Sequence, residues 1–151
     1  MNIQEIVSIL VSAGIEHNEA VQEVKMLIEH FCNYGVKDII MGRPLDYEKL
    51  TIVKEKAELR AKTKQPIQYI IGQAYFMGDY YKVSPDVLIP RDETEIVVNH
   101  ALNLIKKYDY QNVLEIGTGS GCIACSLAKY GKVDVTSIDI SENALEIAKY
   151  N

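Results

Sequence analysis

Through the first half of the chain, apolar residues recur at helical spacing; afterwards they fall into short runs bounded by glycine. Ile3, Ile6, Val7, Leu10 and Val11 share one face of a predicted helix over residues 3–13, which Gly14 stops. A second predicted helix runs from about Asn18, read as its cap, to Tyr34, with Ala20, Val21, Val24, Leu27, Ile28 and Phe31 on one side and Gly35 after it. Val36 to Met41 form a short segment broken by Gly42 and Pro44. Asp46 then caps a helix to about Lys62, whose inner face is Leu50, Val53, Ala57 and, at its margin, Leu59. Pro66 opens a last turn that Gly72 closes.

Beyond Gly72 the period changes. Aromatic residues flank Gly78-Asp79, and a glycine first in a two-residue loop predicts a type II′ hairpin. Val87, Leu88 and Ile89 extend this connector and Pro90 ends it. Asp92 with Glu95 predicts an acidic capping box for a helix to about Tyr108, with Val97, Val98, Ala101, Leu102, Leu104 and Ile105 on its apolar face. Val113, Leu114 and Ile116 predict a strand buried on both faces, and Val133 to Ile138 a second strand.

Between those strands lies NVLEIGTGSG, residues 112–121, with Gly117, Gly119 and Gly121 at alternate positions. Glycines there permit positive φ and let a ligand approach the backbone, while a helix starting near Ser120 aims its N–H groups at the same crevice. The dinucleotide fingerprint G-x-G-x-x-G needs a glycine where Cys122 stands. Glu115, before the first glycine, would repel a pyrophosphate but suits an ammonium group. Asp139, ending the second strand, is placed to accept hydrogen bonds from ribose hydroxyls. Acid, glycines and second acid together suit a nucleoside carrying an amino acid, as in S-adenosylmethionine.

Composition sets the limits around this site. In 151 residues, 48% hydrophobic and 25% charged, no apolar run approaches a membrane span and no basic apolar leader is visible, so a cytoplasmic protein is expected. The net charge of −5 lies mainly after Gly72, and without clustered Lys and Arg direct nucleic-acid binding is not expected. Three cysteines argue against a disulfide framework, and Cys122 and Cys125, a C-x-x-C without a second pair or a nearby histidine, read as reduced packing residues rather than a redox or zinc motif. His17 and His30 have no acidic or thiol partner at a telling spacing, so surface or capping roles are expected.

Read together, PIQYIIG, YFMGDYYKV, VLIPRDETE at Val87 to Glu95 and EIGTGSG at Glu115 to Gly121 resemble the HemK/PrmC family, the peptide-chain release factor glutamine methyltransferases. The match spans nearly the whole chain. Asp92 replaces the proline of the family's IPRPETE, a mild change because both residues suit a helix start. The resemblance implies methyl transfer from S-adenosylmethionine to the side-chain nitrogen of the glutamine in the Gly-Gly-Gln loop of a release factor. It implies that Gly117, Thr118, Gly119, Ser120 and Gly121, with Glu115, hold the methionine and adenosine side of the cofactor and that Asp139 holds the ribose. It also implies that Leu88, Pro90 and Arg91 line the approach to the pocket. The family's catalytic Asn-Pro-Pro-Tyr occurs nowhere in these residues, so no catalytic residue is assigned.

The expected fold is therefore α+β with two domains. A small all-α substrate-recognition domain, residues 1–72, is followed by a β-hairpin linker, residues 73–90. Residues 91–151 form the first part of an α/β, Rossmann-like methyltransferase domain, and the chain alone is expected to be inactive. Two rival readings are a nucleotide-dependent oxidoreductase and a non-enzymatic helical adaptor with a vestigial cofactor half.

Overall fold

The computed structural model describes residues 2–151; Met1 and the side chains of Val36 and Ile39 lie outside the described residues. The chain divides into two compact units, Met1–Ile71 and Gly72–Asn151.

The first unit is helical: α1 (Ile3–Ser12), α2 (His17–Cys32), α3 (Val36–Ile40), α4 (Tyr47–Thr63) and α5 (Ile67–Ile71). Asn2 and Glu5 form a reciprocal capping box at the start of α1, and Asp46 caps α4 by accepting from the Glu48 amide. The cap of α2 is Glu16 and not Asn18: its carboxylate accepts from the Asn18 and Glu19 amides at 2.8 and 3.1 Å. A carboxylate at that end also meets the positive pole of the helix dipole. Ile6, Leu10, Leu27, Val53 and Ala57 are fully buried where α1, α2 and α4 meet, whereas Leu59 is 40% exposed and lies off that face. Within this core Glu23 pairs with Arg60, whose Nε and Nη2 approach the carboxylate at 2.9–3.0 Å.

In the second unit β1 (Gln73–Phe76) and β2 (Asp79–Lys82) form an antiparallel hairpin with Phe76 opposite Asp79. The loop is therefore Met77-Gly78, one residue earlier than expected. With φ of 49° and 89° at these two residues it is a type I′ turn and not type II′. A methionine tolerates this conformation because its backbone is held from both sides: the Met77 amide donates to Glu95 Oε1 at 2.7 Å, and its carbonyl accepts from the Tyr130 hydroxyl at 2.6 Å.

The expected capping box of α6 (Asp92–Tyr108) is consequently not formed. Arg91 is the cap residue, no side chain caps it, and Glu95 is engaged with the hairpin. After α6 come β3 (Asn112–Ile116), α7 (Cys122–Gly131), β4 (Asp134–Ile138) and α8 (Glu142–Tyr150), with β3 and β4 parallel. One face of this pair, carrying Val113 and Val135, joins Phe76, Tyr81, Val98, Ile105 and Leu127 in the core. The other face is not buried as expected: Leu114 is 63% and Ile116 79% exposed. A short apolar run specifies a strand but not what covers each face.

Candidate functional site

The loop after β3 is shaped by the end of β4. Gly117, Gly119 and Gly121 have φ of 91°, 53° and 80°, the left-handed conformations that their alternation anticipates. Three successive residues of β4 and its extension hold the loop. The Ile138 carbonyl accepts from the Gly117 and Thr118 amides at 2.7 and 3.1 Å, and Asp139 Oδ2 accepts from the Gly119 amide at 2.8 Å. Ser137 Oγ lies 2.7 Å from Thr118 Oγ1.

The three glycines are not equivalent. A Cβ on Gly117 or Gly119 would meet nothing within 4 Å, so the backbone there borders open space that a ligand can enter. A Cβ on Gly121 would lie 3.1 Å from the Cβ of Ala148, so the missing side chain of this glycine makes room for α8. Thr118 and Ser120 are buried, at 7% and 3% exposure, with their side chains in the protein. Any ligand contact from these two runs through their backbone.

Glu115 is half-buried beside the loop and accepts from Ser137 Oγ at 2.6 Å. Burial pushes its carboxyl above the usual range, against the Ser137 hydroxyl and the Ala124 amide of α7, which favour the charged form. The first turn of α7 thus already faces a carboxylate from its own unit. That disfavours the dinucleotide reading, in which the helix start must receive a pyrophosphate.

Asp139 differs. Bonds from the Gly119 and Ser141 amides hold its pKa below the usual carboxylate range. Its oxygens keep further lone pairs for hydroxyl donors.

Burial raises the Cys122 and Cys125 thiols, with Glu115 adding to the effect, so neither is an activated thiolate. Among the described residues no group of three or more His, Cys, Asp or Glu is arranged to hold a metal ion, and no helix is long and apolar enough to cross a membrane.

Of the other expected residues, Leu88 and Arg91 are exposed and Pro90 is half-buried. Their segment is tied to the site side of the unit by Asp86, which accepts from Asn143 Nδ2 at 3.0 Å. Two site residues escaped the sequence reading. Ser137 shows its role only once the strand register sets it opposite Glu115. Asn151 bonds the Lys82 amide, the Lys82 carbonyl and the Ser120 carbonyl, joining the hairpin to the loop. The hairpin, which the sequence reads as a linker, thus lies within the second unit.

The unit thus combines a parallel strand pair, a glycine loop open at two positions, one acid within β3 and another just after β4. Residues 113–151 match the family model described as a methyltransferase domain. Over 149 residues the chain is 36% identical to the release factor glutamine methyltransferase of Bacillus subtilis (strain 168), covering 95% of this chain and 51% of that protein. It is 41% identical over 112 residues to the protein of that name from Fusobacterium nucleatum, covering 74% of this chain and 32% of that one. The corresponding protein of Chlorobaculum tepidum is 40% identical over 118 residues, 71% of this chain and 40% of its own length. The resemblance carried by VLIPRDETE and EIGTGSG therefore holds: the chain is a homologue of the release factor glutamine methyltransferases. It spans between about a third and half the length of the curated relatives it matches.

Proposed function

We propose that this chain is the N-terminal part of an enzyme that methylates the glutamine side-chain nitrogen in the Gly-Gly-Gln loop of peptide-chain release factors, with S-adenosylmethionine as donor. The observation that carries the reading is the loop at Gly117 and Gly119, open to a ligand on one side and fixed on the other by Ile138 and Asp139. An adenosine bearing an amino acid fits these groups. Gly117 and Gly119 admit it against the backbone, Asp139 receives ribose hydroxyls, and Glu115 faces the ammonium group. Gly121, Thr118 and Ser120 form the far wall of the loop and act on the ligand through backbone position.

The cofactor supplies an electrophilic methyl group. What remains for the protein is to hold donor and amide nitrogen in line and to exclude water, which positioning alone can accelerate strongly. In this reading the helical unit helps hold the release factor, and Leu88, Pro90 and Arg91 line the approach to the pocket. The groups that orient the amide belong to an Asn-Pro-Pro-Tyr motif that these residues do not contain.

The test compares calorimetric binding of S-adenosylmethionine and NADH, then assays methyl transfer to a release factor by the complete protein and by residues 1–151. Selective binding of S-adenosylmethionine with transfer by the complete protein only is the expected result. Selective NADH binding would replace the reading with that of an oxidoreductase.

A further inference from the structure

Of the three residues that hold the glycine loop, Ser137 alone also reaches Glu115. We propose that Ser137 is a positioning residue that ties the conformation of the glycine loop to the ionisation of Glu115, so that the loop and the site for a cationic ligand group are set together. This rests on the loop's being the S-adenosylmethionine site.

The parallel register places Glu115 and Ser137 side by side on the same face. Ser137 donates to Glu115 Oε2 at 2.6 Å. A hydroxyl has one proton, so with Glu115 ionised the contact to Thr118 Oγ1, at 2.7 Å, is one in which Thr118 donates and Ser137 accepts. The chain then runs in one direction, from Thr118 through Ser137 to Glu115.

Thr118 is itself fixed: it is 7% exposed, lies between the two open glycines, and its amide is bound to the Ile138 carbonyl. Protonation of Glu115 turns the acid into a donor, Ser137 into its acceptor, and frees the Ser137 proton to face Thr118, so the chain reverses. The loop therefore senses the charge of an acid it does not contain.

Glu115 is faced by Asp139 from the end of β4 and by Cys122 and Cys125 from α7. Both thiols are neutral where carboxylates ionise, so Asp139 is the neighbouring charge, and it repels. A ligand ammonium relieves that repulsion and favours the ionised direction of the chain.

The test follows the Glu115 carboxyl by carbon-13 NMR through a pH titration, together with calorimetric affinity for S-adenosylmethionine over the same range, in wild type, Ser137→Ala and Ser137→Thr. Ser137→Ala is expected to raise the Glu115 midpoint and to move the acid-side loss of affinity up the pH scale by the same interval. Ser137→Thr, which keeps the hydroxyl on a residue suited to a strand, restores both. An unmoved midpoint, or an affinity that falls equally at every pH, overturns the proposal.

If wild type binds no S-adenosylmethionine at any pH, the cofactor reading fails instead. The coupling is then read from the Gly119 amide resonance, which must follow the Glu115 titration in wild type and lose that dependence in Ser137→Ala. Should Ser137→Ala not fold, Thr118→Val cuts the same chain at its loop end and must uncouple the Gly119 amide in the same way. A Gly119 amide that still tracks Glu115 in either variant overturns the proposal.

Discussion

Gly121 and Ala148 are in contact so close that a single methyl group on the glycine would stand 3.1 Å from the Ala148 Cβ and 3.2 Å from its Cα. Gly121 also sits at φ 80°, so Gly121→Ala adds backbone strain to a clash with the α8 backbone. The expected cost is about 2–4 kcal/mol of stability, read by urea unfolding. Gly119→Val is strained as well, because Gly119 sits at φ 53° and a β-branched residue rarely adopts that conformation, but it adds no clash; it should cost less stability than Gly121→Ala while removing S-adenosylmethionine binding and sparing the helical unit. Equal destabilisation by the two variants would erase the distinction between a packing glycine and a ligand glycine.

Asp139 bonds both the Gly119 amide of the loop and the Ser141 amide ahead of α8. Asp139→Ala is expected to weaken S-adenosylmethionine binding by about tenfold or more, through lost acceptors for the ribose and a loosened loop. Calorimetry measures it. Unchanged affinity would reduce Asp139 to an anchor of the local backbone.

What the sequence discloses of this site depends on how local each cause is. The positive φ of Gly117 and Gly119 and the cap at Asp46 are decided within a few residues, and both are legible. The hairpin loop is not, because Met77 adopts its left-handed conformation only when Glu95 and Tyr130 hold its amide and carbonyl. The same contact takes Glu95 away from the capping box that its spacing suggests. Asn18 reads as the cap of α2 because short polar residues usually fill that position, whereas in the fold the longer Glu16 side chain fills it. Ser137 looks like any serine in a strand until the register sets it beside Glu115. The packing role of Gly121 likewise needs α8 in place.

Arg60 and Glu23 are the polar pair of the helical core, with side chains only 12% and 8% exposed. Arg60→Ala leaves a buried carboxylate without its partner and should cost roughly 3–5 kcal/mol. Replacing both, as Glu23→Leu with Arg60→Met, should recover most of that loss because no buried charge remains. Thermal unfolding of the two variants beside wild type decides it, and an Arg60→Ala protein as stable as wild type would show the pair to be solvated.

Glu115 and Asp139 bias stability in opposite directions with pH. Burial raises the Glu115 pKa, so the folded chain holds a proton there that the unfolded chain has released. Its contribution is complete below the ordinary glutamate value of about 4.3 and is lost as pH rises through the folded value. Asp139, held down by the Gly119 and Ser141 amides, contributes above the ordinary aspartate value and loses that contribution as pH falls through its folded value. Glu115→Gln should therefore flatten the decline in stability from the ordinary glutamate pKa upward and leave the acid limb due to Asp139. Identical pH slopes in variant and wild type would mean that Glu115 is hydrated as in the unfolded chain.

The face of the β3–β4 pair opposite the core carries Leu114 at 63%, Ile116 at 79% and Ile138 at 49% exposure, and Ile140 just beyond is fully exposed. Four large apolar side chains close together on a two-stranded parallel sheet form the kind of patch that drives association when nothing packs on it. Parallel sheets are normally covered on both faces, and an uncovered pair also leaves backbone groups unpaired along its edges. Residues 1–151 in isolation are thus expected to associate with increasing concentration. Hydrogen exchange should be faster across residues 112–151 than in α1, α2 and α4, whose core is closed. Ile116→Lys with Ile140→Lys should suppress association in sedimentation velocity without disturbing the core on the other face. A dilute, monomeric chain with strong, uniform protection across β3, β4 and α8 would show that the two strands are stable with that face bare.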